Sequence, residues 1–124
     1  MAFDVVIELP NEPGALERVV TAISDAGVNI SAATCTGPAE TAELHILVPH
    51  AEAVRRALAI SNQAITSERE VVVVQARDRP GELADLARKV TQAGINLDLL
   101  YVATGSRVVF GSSDLDGLRA ALGQ

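Results

Sequence analysis

The stretch Pro13–Ile30, PGALERVVTAISDAGVNI, decides the fold, because it occurs a second time as Pro80–Leu97, PGELADLARKVTQAGINL. Six of the 18 positions are identical at a constant offset of 67 residues, and several others exchange one aliphatic residue for another. An internal repeat of this kind indicates that one supersecondary unit is built twice. We therefore expect two similar units in this chain of 124 residues.

Each copy begins with a Val- and Ile-rich run that is typical of a strand, at Phe3–Leu9 and at Glu70–Ala76. Within the repeat, apolar residues recur with the period of a helix, and Pro13 and Pro80 suit its first turn. A glycine that tolerates the left-handed conformation then ends the helix. The apolar positions of the two helices are Leu16, Val19, Val20 and Ile23, and Leu83, Leu86, Ala87 and Val90.

A β-hairpin and a second helix follow in each copy. The predicted segments are Ile30–Cys35, Ala42–Val48 and the helix His50–Ile60, then Leu97–Ala103, Arg107–Gly111 and the helix Ser113–Leu122, opened by Ser112 or Ser113. Gln63–Ser67 can supply a closing strand in the first copy only. The pattern predicts an α+β fold of two ferredoxin-like βαββαβ modules with antiparallel sheets, residues 1–68 and 69–124, the second lacking its last strand.

Composition excludes several classes of protein. The net charge of −6 and the pI near 4.8 argue against binding to nucleic acid, which needs clustered Lys and Arg. The single cysteine, Cys35, excludes an internal disulfide and a structural zinc site, and it indicates a reducing cytoplasm. The first ten residues do not have the pattern of a signal peptide, and no apolar run is long enough to span a membrane, so we expect a soluble intracellular protein. Aromatic residues make up only 2% of the chain, so we expect an aliphatic core.

The repeated motif resembles the ACT domain. It reads Asn/Asp-x-Pro-Gly-x-Leu, then an amphipathic helix, then Ala-Gly-Val/Ile-Asn-Ile/Leu, and it is present twice at the same spacing. The whole chain is similar to stand-alone tandem ACT proteins that have no catalytic domain. This resemblance implies a non-enzymatic regulatory or sensor protein that binds a free amino acid or similar small metabolite at a module or subunit interface. It also implies a homo-oligomer, such as a dimer, and a regulated partner protein.

By that resemblance, the ligand lies between the first strand-to-helix loop and the start of the second strand. The matching residues are Asn11, Pro13, Gly14 and Asn29 in the first copy, and Asp78, Pro80, Gly81 and Asn96 in the second. Asparagine offers donors and acceptors to a zwitterion, whereas Asp78 favours an ammonium group, so the two sites should differ. Some family members have a histidine where this chain has Leu9 or Ala76, and its absence favours an apolar ligand side chain.

Simpler interpretations stay open for the same residues. Asn11 and Asp78 are candidates for helix capping, and Asn29 and Asn96 for a turn conformation that follows a C-capping glycine. On that view the chain is a structural or oligomerisation module without a small-molecule ligand. An RNA-binding ferredoxin-like domain is a third option, which the acidic charge and the scarcity of aromatic residues disfavour.

The sequence contains no pattern that indicates catalysis, a cofactor or a metal site. His45 and His50 have no Asp, Ser or Cys constellation nearby in sequence, so we expect structural or surface roles for both. Cys35 lies in a predicted strand, where we expect it to be buried and inert. The sequence does not specify the ligand, the number of occupied sites or the oligomeric state.

Overall fold

Both copies of the repeat form a strand, a helix, a hairpin and a second helix. The computed structural model describes all residues, Met1–Gln124, as two units, Ala2–Arg69 and Glu70–Gln124, which we call the first and the second unit. The elements are β1 (Ala2–Pro10), α1 (Ala15–Asp25), β2 (Ala32–Thr36), β3 (Thr41–Val48), α2 (Ala51–Ile60), β4 (Ile65–Gln75), α3 (Glu82–Gln92), β5 (Leu99–Ala103), the 3-10 turn Thr104–Ser106, β6 (Arg107–Gly111) and α4 (Leu115–Leu122).

The sheet of the first unit is antiparallel, and β3 lies between β1 and β2. The β1–β3 register runs from Phe3 opposite Val48 to Pro10 opposite Thr41. On the other side of β1, the hydroxyl of Thr66 at the start of β4 donates to the carbonyl oxygen of Val6 at 3.2 Å. The order of the strands is therefore the one that a ferredoxin-like βαββαβ unit requires.

The sheet of the second unit is antiparallel as well, and β6 lies between β4 and β5. The register runs from Val72 opposite Phe110 to Gln75 opposite Arg107. In this chain, α4 is the last element, and no strand follows it. The α+β class with antiparallel sheets is thus as the sequence predicts.

Each unit has its own apolar core. In the first unit, alternate residues of β1 pack with the buried faces of α1 and α2, and the largest members are Ile7, Leu9, Ile23, Leu44, Ile46 and Leu58. The core of the second unit is also aliphatic except for Phe110, which is completely buried. Because side chains in a strand alternate between two faces, Val5, Ile7 and Leu9 share one face of β1.

The first helix of each unit ends in the same way. Gly27 and Gly94 adopt φ values of 77° and 73°, in the left-handed region. The N–H of the residue after each glycine donates back to the helix, Val28 to Ile23 and Ile95 to Val90, both at 3.2 Å. These are the bonds of a Schellman motif, which satisfies carbonyl groups that the helix end leaves unpaired. The motif turns the chain toward the next strand in both units.

Some element boundaries differ from the sequence prediction. Gln63–Ser67 and Glu70–Ala76 were expected as two strands, but Ile65–Gln75 forms one strand of 11 residues. No turn residue separates the two predicted segments, so the extended backbone continues through them. The last helix is capped by Asp114, whose carboxylate accepts from the N–H of Gly117 at 3.0 Å, and not by Ser112 or Ser113. None of the four helices has the length and apolar character needed to cross a membrane.

We predict that Gly94→Ala lowers the free energy of unfolding by about 1–2 kcal/mol, because a Cβ atom is strained in the left-handed region. No atom lies within 4 Å of the position of the new Cβ, so the loss reflects backbone strain alone. Gly94→Asn should lose about half as much, since asparagine tolerates this conformation. Urea unfolding of the three proteins checks this, and equal stability of wild type and Gly94→Ala would contradict it.

Candidate functional site

The loop between the first strand and the first helix has the same backbone in both units. The N–H of Ala15 donates to the carbonyl of Glu12, and that of Glu82 to the carbonyl of Arg79, each at 3.3 Å. Gly14 and Gly81, at φ 86° and 87°, occupy the third position of these turns. This is the geometry of a type II turn, which has proline second and glycine third.

This turn corrects two expectations about the helix starts. Pro13 and Pro80 lie before the helices and not in their first turns, since Gly14 and Gly81 are the N-cap residues. No side chain caps either helix, so the capping roles considered for Asn11 and Asp78 were wrong. The reason is that the type II turn already sets the direction of the helix, and an Asx residue three positions before the cap lies too early in the chain to reach the first helical N–H groups.

The side chain of Asn11 instead connects two loops of the first unit. Its Nδ2 donates to the carbonyl oxygens of Gly37 at 2.9 Å and Ala39 at 2.8 Å, and its backbone N–H donates to Glu40 at 2.9 Å. Gly37 packs so closely that a Cβ there would lie 3.1 Å from Cγ of Asn11. The β2–β3 loop therefore covers this position, and both amide hydrogens of Asn11 are already used.

The equivalent position of the second unit is open. The β5–β6 connection is the short 3-10 turn Thr104–Ser106, and it is held by Gln75 and Ala76 instead. Nε2 of Gln75 donates to Gly105 at 2.7 Å, and the N–H of Ala76 donates to Ser106 at 3.0 Å. Asp78, the counterpart of Asn11, makes no side-chain hydrogen bond and faces a cavity of about 180 Å³.

This cavity, which we call the second-unit cavity, has a charged side and an apolar side. It is lined by Ala76, Arg77, Asp78, Arg79, Glu82, Leu83, Val102, Ser106 and Val108. The charged residues belong to the β4–α3 loop and the start of α3. Three of the apolar residues are Val102 of β5, Val108 of β6 and Leu83 of α3. Its volume is below the range of about 300–1,000 Å³ that is usual for drug-sized ligands, so it fits a small metabolite.

The four charges of the cavity differ in how they are paired. The guanidinium of Arg79 contacts Glu82 at 2.9 Å and Asp85 at 3.0 Å. The hydrogen bond from Arg79, and to a lesser extent the one from Arg88, lowers the pKa of Asp85. The side chains of Arg77 and Asp78 make neither an ion pair nor a hydrogen bond. The cavity therefore offers one unpaired cation and one unpaired anion from adjacent residues.

The structure does not bring Asn29 and Asn96 to these loops. Asn11 precedes α1 and Asn29 follows it, and this helix of 11 residues spans about 16 Å. Asp78 and Asn96 flank α3 in the same way. Asn29 lines an open depression with Val20 and Ser24 at the far end of α1. Within one unit, the predicted ligand-binding residues therefore divide into two separate groups.

A cluster around His45 was missed by the sequence reasoning. Nδ1 of His45 lies 3.0 Å from Oδ2 of Asp4, and Nε2 lies 2.8 Å from Oε1 of Glu43. Asp4 is only 1% exposed. Glu43, two residues before His45 in β3, was a signal in the sequence, because both share one face of the strand. Asp4 was not, because only the β1–β3 register brings it near.

The environment of His45 shifts its protonation. Burial lowers the pKa of the imidazole, but the hydrogen bonds with Asp4 and Glu43 outweigh this, so the pKa is raised above its ordinary value. His50 is the exposed N-cap residue of α2, as expected for a surface residue. Cys35 was expected to be buried, but it is exposed, because it lies in the edge strand β2, in which only Ala32 is buried. No group of three metal-ligating side chains occurs in the structure.

The first half of the chain matches a known family. Residues 3–61, from β1 to the end of α2, match the family model of the ACT domain. An ACT domain is found there. Among the curated proteins, none matches the chain in sequence.

Solved structures share the fold over nearly the whole chain. Protein BT0572 from Bacteroides thetaiotaomicron has a TM-score of 0.86 and 23% identity, and the match covers 98% of this chain and 85% of that one. The regulatory subunits of aspartate kinase from Thermus thermophilus and Thermus flavus have TM-scores of 0.71 and 0.68 at 17% and 16% identity. Each of these matches covers 99% of this chain and 90% of the subunit. At such identities, the likeness shows the ferredoxin-like fold.

We predict that His45→Gln destabilises the protein more at pH 5.5 than at pH 8.5. Because the pKa of His45 is raised in the folded state, the folded state binds the proton of the imidazolium more tightly than the unfolded state does. The resulting stabilisation is fully present below pH 6.5, the pKa of the unfolded state, and is lost as the pH rises through the pKa of the folded state. The free energy of unfolding of the wild type and of His45→Gln is measured with urea at the two pH values. An effect of His45→Gln that does not change with pH would contradict the prediction.

Proposed function

We propose that this chain is a non-enzymatic regulatory protein that binds a free amino acid in the second-unit cavity. The observation that carries the proposal is the pair of unpaired, opposite charges, Arg77 and Asp78, beside an apolar wall. A free amino acid has the same three features: a carboxylate, an ammonium group and a side chain. Counting all the charged residues that line the cavity, its charge is neutral, which suits a zwitterion better than an anion or a cation.

In this proposal, Asp78 accepts from the ammonium group and Arg77 donates to the carboxylate. Charge-assisted hydrogen bonds of this kind are shorter and stronger than neutral ones. The start of α3 adds to the attraction for the carboxylate, because no side chain caps its first N–H groups. Pro80 and Gly81 contribute by forming the type II turn that presents Asp78.

The first unit has a different role in this proposal. Asn11 already bonds to the β2–β3 loop, so Asn11, Pro13 and Gly14 maintain the loop structure and do not bind the ligand. Asn29 and Asn96 follow α1 and α3, so the length of the helix separates them from a ligand at the β–α loop of the same unit. We propose that such a residue completes the site only when a second copy of the chain supplies it, which makes the protein a homo-oligomer.

The regulatory assignment rests on the ACT domain at residues 3–61 and on the fold shared with the regulatory subunits of aspartate kinase. We extend it to two ACT-like modules, residues 1–68 and 69–124, because both repeats have the same turn and the same helix end. A ligand that binds one arrangement of the subunits more tightly shifts the population toward it, and this change can be read by a partner protein. The exposed free thiol of Cys35 is consistent with a cytoplasmic location.

A second candidate function is oligomerisation without a ligand, and the edge strand β2 favours it. Ala33, Thr34, Cys35 and Thr36 are all exposed. This strand contains no charged residue and no proline, which are common means of protecting a sheet edge from further pairing. In that case, the loops with the type II turns only shape the fold.

A thermal-shift screen with the twenty amino acids separates these two functions. A ligand that binds only the native state raises the melting temperature, because it stabilises that state by RT ln(1 + [L]/Kd). We predict a shift with at least one amino acid at millimolar concentration. Asp78→Asn should then weaken binding by about 10-fold to 100-fold in calorimetry, which is the range for the loss of a charged hydrogen-bond partner.

The matched control is Asp25→Asn, which removes the same charge at the end of α1 in the first unit. Its Kd should equal that of the wild type. The proposal fails if no amino acid shifts the melting temperature, or if Asp78→Asn binds as tightly as Asp25→Asn.

A further inference from the structure

We propose that the second-unit cavity selects amino acids with an aliphatic side chain, and that Val102 and Leu83 determine this specificity. The inference rests on the proposed function and adds the class of ligand to it. Its basis is the chemistry of the apolar wall, which is independent of the charges that hold the α-carboxylate and the α-ammonium group.

The apolar wall continues a row of aliphatic residues across the sheet. Val102 lies opposite Val108 in the β5–β6 register, and Val108 lies opposite Val74 in the β4–β6 register. Side chains at paired positions lie side by side on one face of a sheet. Val74 and Val108 belong to the core, whereas Val102 extends the same row beyond the core to the edge strand. An aliphatic ligand side chain would add one more member to this row.

The side chains of Leu83 and Val102 are partly exposed to solvent. Leu83 is 43% exposed and Val102 is 62% exposed, although both line the cavity. Apolar side chains that are exposed together in a concave surface are typical of a binding site. The other apolar residues that line the cavity are Ala76 and the buried Val108.

The polar residues of the cavity offer little to a polar ligand side chain. Arg79 and Glu82 pair with each other, so a ligand charge would have to separate them. Arg77 and Asp78 are engaged by the α groups of the ligand in the proposed complex. Ser106 is then the one remaining side-chain hydroxyl among the residues that line the cavity, whereas Leu83, Val102 and Val108 offer only methyl groups.

The first unit lacks the same wall. At the repeat offset of 67 residues, Cys35 takes the place of Val102, and Ala33 takes the place of the partly exposed Leu100. Leu16 is the counterpart of Leu83 and is equally exposed, at 43%. The two copies thus differ in the strand residue that would contact a ligand side chain. Because the two leucines are alike and the strand residues differ, we expect Val102 to contribute more to the selectivity than Leu83.

Calorimetry with L-valine and L-threonine tests the proposal, because the two ligands have the same shape and differ by a hydroxyl in place of a methyl group. Valine should bind at least about 10-fold more tightly than threonine, since an apolar site discriminates against an added hydroxyl on that scale. Val102→Thr, which preserves shape and strand propensity, should reduce this ratio to about 3-fold. It should leave the Kd of glycine unchanged.

Two further variants complete the experiment. Leu83→Gln provides a second test of the wall on the helix, where a glutamine is well tolerated, and it should also reduce the ratio. Ile60→Thr is the matched control, because Ile60 is 88% exposed at the end of α2 in the first unit and does not line the cavity. Its ratio should equal that of the wild type.

The possible failures are distinct. If amino acids bind but valine and threonine differ by less than twofold, the selectivity is overturned and the proposed function is retained. If valine is preferred but both Val102→Thr and Leu83→Gln keep the full ratio, the assignment of the specificity residues is overturned. If no amino acid binds, both the proposed function and this inference are wrong.

Discussion

The left-handed conformation of Gly14 and Gly81 is the constraint on which both units depend. At φ 86° and 87°, these residues complete a type II turn that only glycine occupies without strain. The turn ends the first strand, begins the first helix and thereby brings the helix back over the sheet. The Schellman motifs at Gly27 and Gly94 then return the chain to the next strand. Between these two turns, aliphatic residues of the helix pack on the strands and stabilise each unit.

The two units share the backbone of the strand-to-helix loop but differ in what lies beside it. In the first unit, Asn11 bonds to the carbonyl groups of Gly37 and Ala39, and the loop is filled. In the second unit, the shorter turn Thr104–Ser106 is held by Gln75 and Ala76, and Asp78 is left unpaired beside a cavity. The residue at one equivalent position and the length of one hairpin thus decide which of the two β–α loops lies beside an unfilled cavity. The elements that the two units share give them the same fold, and the residues that differ between them form the candidate site.

The sequence predicted the elements well because their signals are local. Helical periodicity, the Pro-Gly pair and the C-terminal glycine all act within a few residues, and each was present twice. The continuous strand β4 was missed because two strand-like segments without a turn between them read as two strands. The last helix begins at Leu115, later than expected, because Ser112 and Ser113 were the predicted caps and the adjacent Asp114 was not. Only the structure shows that the carboxylate of Asp114 accepts the bond.

The candidate site was less predictable because it depends on contacts between distant residues. Motif spacing grouped Asn11 with Asn29, but the helix between them separates them by about 16 Å. The bonds from Asn11 to a loop 26 and 28 residues away have no signature in the sequence, and neither does the contact of His45 with Asp4. The burial of Cys35 was wrong because a strand pattern does not reveal which strand lies at the edge. The difference between Asn11 and Asp78, by contrast, is visible in the sequence, and it underlies the prediction that the two sites differ.

The most direct test of this account is to follow backbone amide chemical shifts by NMR while an amino acid that binds is added. We expect the largest shift changes in the second unit, at Ala76–Leu83 and at Val102–Ser106. The equivalent loops of the first unit, Asn11–Gly14 and Gly37–Glu40, should change little. Equal changes in both pairs of loops, or changes confined to the first unit, would contradict the proposal that the ligand binds in the second-unit cavity.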